Sequence, residues 1–147
     1  MAKVTIQMPE SFLQDVSKLA DRTDDILPRV LEAGGKVVLA RVRGNLQSAI
    51  GRGLKYKGRS TGQLVSALGL SPAKLDRKGN HNVKVGFSEP RRVKKGKKIT
   101  NAMLANILEH GKHGQPPKPF LKPAKTSSKS ACIAAMTAKL KDEVGRL

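Results

Sequence analysis

The stretch from Asn101 to Ala124, NAMLANILEHGKHGQPPKPFLKPA, narrows the fold more than any other part of the chain. Met103, Leu104, Ile107 and Leu108 recur at three- and four-residue spacing, which predicts a short helix with one apolar face. Gly111 permits the left-handed turn that closes such a helix. Pro116, Pro117 and Pro119 then fix three φ angles and remove three amide donors, so the chain can neither continue as helix nor enter a central strand. The expectation is a stiff, extended arm that ends in the apolar pair Phe120 and Leu121 and acts as a clamp. Burying Phe120 would favour docking of that arm by roughly 1.5–3 kcal/mol before ordering costs. A plain surface loop bracketed by prolines is the competing reading.

The remaining elements are read in chain order. Val4, Ile6 and Met8 alternate with polar neighbours in residues 3–8, a short strand ended by Pro9. Phe12, Val16 and Leu19 predict an amphipathic helix to about Ala20, and Asp24 is placed as the cap of the next one. From Ile26 to about Ile50, Leu27, Val30, Leu31, Val37, Val38, Val42 and Leu46 follow one face of what should be the longest helix. Pro28 is expected in its first turn, where a missing amide costs little. Gly34 and Gly35 lower helix propensity near its middle, and close packing against another element explains them better than a bend.

Gly51 to Ser60, GRGLKYKGRS, is a glycine-rich basic connection, after which Thr61 caps a short helix running to Leu68. Leu70 and Leu75 flank Pro72 and give only a weak strand signal. Asp76 to Asn82 reads as a turn, and Val83, Val85 and Phe87 alternate as the best strand in the chain. Glu89 to Ile99, EPRRVKKGKKI, reads as a basic loop. Thr126 to Leu147 is rich in helix formers and predicts a terminal helix with Cys132 near its apolar side. The fold class is therefore α+β: a long helix and shorter helices packed on a small antiparallel sheet, with a proline-rich arm. Residues 1–147 are expected to form a single domain with flexible basic loops near 51–60 and 89–99.

Charge bears most directly on partners. Lysine and arginine number 29 against 11 acidic residues, a formal net charge of +18, so an anionic partner is expected: DNA, RNA or an acidic protein surface. Phe12, Tyr56, Phe87 and Phe120 are the only aromatic residues, too few for a sheet that stacks successive bases. Arg91, Arg92, Lys94, Lys95, Lys97 and Lys98 are the candidate contacts to DNA or to an acidic partner, neutralising phosphates without selecting a sequence. The lone Cys132 forms no internal disulfide and is compatible with assembly in a reducing cytoplasm. The opening residues MAKVTIQMPESF lack a signal peptide's apolar core, and no run is long enough to cross a membrane.

Catalysis finds few reactive groups to work with. His81, His110 and His113 fall on loops or helix ends, and the set Glu109, His110 and His113 is broken by Gly111, a weak metal motif beside the simpler role of His110 as a helix C-cap. Cys132 has no local activating base or oxyanion pocket. The glycines of 51–60 lack the lysine followed by serine or threonine of a phosphate-binding loop. No enzyme activity, cofactor or metal is expected.

Ala105 with Glu109, His110 and Gly111, followed by Pro119, Phe120, Leu121, Lys122, Pro123 and Ala124, resembles the closing motif of a family of small tail-component and neck proteins from long-tailed bacteriophages and prophages. Thr61, Gly62, Gln63 and Leu64 loosely resemble a second segment of that family. This chain carries His110 where the family pattern has an aromatic residue and Lys122 where it has arginine, and lysine does not reproduce arginine's bidentate geometry. The resemblance implies a structural virion component, with no cofactor, that acts in head–tail connection or tail completion. Copies of the chain would form a ring, often of six subunits, around the DNA channel, assembled in the bacterial host cytoplasm and placed at the neck or head-proximal tail. Neighbours would be head-closure, tail-terminator or tail-tube proteins, with non-specific contact to phage DNA and no membrane. Glu109, Gly111, Pro117, Pro119, Phe120, Leu121, Lys122 and Pro123 form the implied assembly motif, in which the arm docks on the next subunit or ring. The alternative is a non-enzymatic, basic nucleic-acid-binding protein.

Overall fold

The computed structural model describes residues 10–50, 62–89 and 99–147. The strand expected over 3–8, the basic connection 51–60 with the capping Thr61, and the basic loop 89–99, except for Glu89 and Ile99, lie outside the described residues. The fold is α+β. Its elements are α1 (Glu10–Asp21), α2 (Thr23–Ala49), α3 (Gln63–Ala67), β1 (Leu68–Leu70), β2 (Lys74–Leu75), β3 (His81–Asn82), β4 (Val85–Phe87), α4 (Asn101–His110) and α5 (Leu121–Gly145).

Helices α2 and α5 form the long axis and run antiparallel. Arg29 near the start of α2 bonds Glu143 near the end of α5, and Asn45 near the end of α2 donates to the carbonyl of Phe120, just before α5. Midway, Gly34 explains how close the two helices come: a Cβ there would meet Met136 Cγ at 2.5 Å and Cys132 Sγ at 3.1 Å. At Gly35 a Cβ would meet Leu70 Cδ1 at 2.6 Å and Val83 Cγ2 at 3.3 Å. The glycine pair thus lets α5 and the β-hairpin both approach the backbone of α2, as close packing required.

The β elements form one irregular hairpin along α2. In β1 and β4, Leu68 lies opposite Phe87 and Leu70 opposite Val85; in β2 and β3, Lys74 lies opposite Asn82. Ser71 N donates to the Lys84 carbonyl at 2.7 Å and carries the first ladder one step further. Pro72 and Ala73 therefore face the single Val83, a β-bulge where a residue without an amide donor is tolerated. That bulge divides the single strand expected over 83–87 and conceals β1, whose Leu68 had been assigned to the end of α3. At the tip, Asp76 Oδ1 accepts from the amides of Lys78 and Asn80, which closes the turn.

The core gathers Val42 and Leu46 of α2, Leu64 of α3, Leu68 of β1, Ala105 of α4, Phe120, and Ala124 of α5. Phe87 meets Phe120 edge-on with centroids 6.1 Å apart. Two helix-start expectations need correction. Arg22 precedes α2 and gives no side-chain cap bond, while Asp24 turns away to His81 Nε2 at 3.0 Å. Because α2 begins at Thr23, Pro28 also lies beyond its first turn.

Candidate functional site

The joint between α4 and α5 is held by hydrogen bonds from both helices. Helix α4 starts with Thr100, whose side chain accepts from Met103 N at 3.0 Å, and with Glu89, whose carboxylate accepts from Ala102 N at 2.9 Å. Its buried positions are Asn101, Ala105 and Glu109, one turn apart, with Leu104 and Leu108 packed beside them. Met103, expected on the apolar face, is 48% exposed. Hydrophobic periodicity missed this rotation because two of the three buried positions are polar, and their value lies in hydrogen bonds. Asn101 Nδ2 donates to the Ser88 carbonyl at 2.7 Å, which fastens α4 to the end of β4.

Glu109 spans the joint. Its Oε2 accepts from the amides of Phe120 at 2.7 Å and Leu121 at 2.9 Å, and its Oε1 from Lys122 at 2.9 Å. The opening amides of a helix have no acceptor within it. Here Glu109 supplies acceptors for three in a row, and the next position, Pro123, has no amide to satisfy. Burial pushes the Glu109 carboxyl upward in pKa, but the bonds from Leu121, Phe120 and Lys122, with a smaller Coulombic contribution from His110, bring the net value below the ordinary 4.5. Although Glu109 lies in the last turn of α4, where the dipole disfavours an anion, it faces the start of α5, where the dipole favours one.

The chain between these helices is a compact corner, which corrects the extended arm. Gly111 has φ 76° and ψ 178°, a region open essentially to glycine alone and distinct from the left-handed helical turn expected there. A Cβ at Gly111 would lie 2.8 Å from the Gln115 carbonyl oxygen and from Pro117 N. Lys112 and Gln115 exchange backbone hydrogen bonds, and Lys118 N donates to the Leu108 carbonyl at 2.7 Å. Phe120 is fully buried in this chain's own core, so its ring is not a free anchor for a neighbouring subunit. Helix α5 begins at Leu121, at the end of the expected arm, rather than at Thr126 where the terminal helix was expected to start. Pro117, Pro119, Leu121, Lys122 and Pro123 remain exposed on the outside of the corner.

The far end of α5 holds a second acidic site that sequence reasoning missed. Glu143 receives both Arg29 Nε and Nη2 at 2.9 Å and pairs with Lys139 at 3.1 Å. The hydrogen bonds from Arg29 and Lys139 hold its carboxyl below the usual range against a smaller upward push from desolvation. The four-residue spacing of Lys139 and Glu143 was the visible half of this cluster; Arg29 joins it only through the fold. Arg91, Arg92, Lys94, Lys95, Lys97 and Lys98 lie outside the described residues. Among the described residues, no group of three or more His, Cys, Asp or Glu could hold a metal ion, and no helix is long and apolar enough to cross a membrane.

The carboxylates of Glu89, Glu109 and Glu143 seat helix starts and tie helices together, a structural use of acidic side chains. The chain belongs to the HK97-gp10-like family: the family model described as "Bacteriophage HK97-gp10, putative tail-component" matches residues 10–111. That match ends at Gly111, inside the corner, and so includes Glu109 but not the amides it caps. No curated protein and no solved structure matches the chain.

Proposed function

We propose that this protein is a structural component of the head–tail connection or tail-completion assembly of a long-tailed phage. It acts by taking its place in a ring of copies of itself around the DNA channel, with six subunits the number implied by resemblance. The family match over residues 10–111 carries this reading. The capped corner supports it, because a rigid junction presents Pro117, Pro119, Leu121, Lys122 and Pro123 as a fixed outer surface for the next subunit or for a head-closure, tail-terminator or tail-tube neighbour. Phe120 and Glu109 serve that surface from beneath. Gly111 shapes it.

The experiment is electron microscopy of particles made without this protein. Filled heads separated from tails, or tails with an unfinished head-proximal end, are expected, and normal numbers of joined, infectious particles would overturn the proposal. The net charge of +18 favours one second reading, a basic nucleic-acid-binding protein acting outside the particle. In that case the protein would be absent from purified virions and would bind DNA as a monomer.

A further inference from the structure

The charges of this molecule are sorted along its long axis. At the end where α2 starts and α5 finishes lie Asp24, Asp25, Glu32, Asp76, Asp142 and Glu143. Arg29 and Lys139 at that end are matched by Glu143, Lys36 by Glu32 and Arg146 by Asp142, while Lys74, Arg77, Lys78 and Lys141 there have no carboxylate partner among the described residues. At the opposite end, outside α1, the acids among the described residues are Glu89 and Glu109, and both accept from helix-start amides. The exposed Lys112, Lys122, Lys125 and Lys129 have no carboxylate partner among the described residues.

Helix energetics do not account for this sorting. In α2, Asp24 and Asp25 sit in the first turn, where the dipole favours them. In the antiparallel α5 the order is reversed: Lys122 and Lys125 stand near its N-terminus, with no acid in the first turn, and Asp142 and Glu143 stand near its C-terminus. Both placements in α5 oppose the dipole. The charge follows the axis of the molecule even where the helix would be better served by the opposite arrangement.

We infer that the end of the molecule where α5 begins is a sequence-independent docking surface for the phosphate backbone of duplex DNA, with Lys125 and Lys129 of α5 among its contacts. The inference deepens the ring proposal by stating which end of each subunit faces DNA, and it rests on that reading. Lys122, Lys125 and Lys129 lie within one to two turns on one flank of α5, spanning about 10 Å at 1.5 Å rise per residue. The same flank becomes apolar further along, with Ile133, Leu140 and Val144 exposed. A protein interface needs apolar anchors at its centre, and α5 carries most of its own toward the other end. Leu121 and the corner prolines give this end some apolar surface, but the flank that carries Lys122, Lys125 and Lys129 exposes no large apolar side chain before Ile133, and cations on such a flank suit phosphates better than an acidic protein.

The test measures binding of the full-length protein to a mixed-sequence duplex of roughly 30 base pairs by fluorescence anisotropy across a salt series. Lys125→Gln with Lys129→Gln should weaken binding at least about tenfold and lower the slope of log affinity against log salt by about two, while the charge-matched pair Lys74→Gln with Lys78→Gln should change affinity less than about twofold. Circular dichroism melting of both double variants checks that they remain folded. Equal losses from the two pairs, no binding by the unaltered protein, or stronger competition by polyglutamate than by DNA at equal charge would each overturn the inference. Incorporation of the Lys125→Gln, Lys129→Gln variant into tails, scored separately, distinguishes this failure from failure of the assembly reading: unchanged DNA binding with normal incorporation sinks the DNA-facing surface alone.

Discussion

Glu109 and Glu143 are each 7% exposed, both are held below the ordinary glutamate pKa, and they stand at opposite ends of α5, yet they are held by different kinds of partner. Glu109 is fixed by backbone amides of a helix start, groups that cannot rotate away and would otherwise lack an acceptor. Glu143 is fixed by the side chains of Arg29, 51% exposed, and Lys139, 31% exposed, both of which reach water. One end of α5 is thus locked into the chain's geometry, while the other is tied by long charged side chains that salt can screen. Equal burial does not make the two carboxylates equivalent.

The largest effects should come from breaking the locked end. Phe120→Ala removes a fully buried ring from beneath the capped helix start and should cost about 3–5 kcal/mol in urea denaturation. Gly111→Ala should cost about 2–3 kcal/mol, since it forces a non-glycine residue into a glycine-only region and against the Gln115 carbonyl. A loss under about 1 kcal/mol for either variant would mean that the corner relaxes readily, removing the contrast between the two ends of α5.

These two residues also mark how far the sequence could be read. The glycine and the prolines marked where α4 ends, although they were read as the start of an extended arm and not as a corner, and the long helical period over 26–50 located α2. Sequence alone did not tell whether Phe120 turned inward or outward, because hydrophobicity records a side chain's need for burial and not which surface provides it. Met103 was misplaced for a related reason: α4 is oriented by the bonds of Asn101 and Glu109, which carry no apolar signal. The bulge at Pro72 and Ala73 hid β1 by breaking alternation. The Arg29 and Glu143 pair, 114 residues apart, had no local pattern to announce it.

Glu109→Gln sharpens the comparison at a single carboxylate. It keeps size and one acceptor oxygen but removes the charge that holds the amides, and a loss of about 1.5–3 kcal/mol at neutral pH is expected. The pH dependence has a definite sign. The folded pKa of Glu109 lies below its ordinary 4.5, so its contribution is complete well above that value and is lost as pH falls through the folded pKa. Melting temperature should therefore drop on acidification from about pH 6 to pH 3, and the drop should be smaller in Glu109→Gln. An identical acid profile in the two proteins would show that the amide cap contributes no proton-linked stability.

Glu143→Gln is the smallest of these perturbations and the one that tests the comparison most directly. Its carboxyl is also depressed, so acid weakens both ends of α5 in the same direction, and pH alone cannot separate them. Salt can. Near 1 M ionic strength the screening length falls to about 3 Å, which weakens a cluster whose cations reach solvent but has little hold on a carboxylate enclosed by backbone amides. The difference in melting temperature between the unaltered protein and Glu143→Gln should shrink toward zero from about 0.05 M to 1 M sodium chloride, while the difference for Glu109→Gln should persist. If the Glu143 difference persisted equally, the Arg29, Lys139 and Glu143 cluster would be as rigid as the helix cap, and side-chain cations would have to be credited with the same fixity as the backbone.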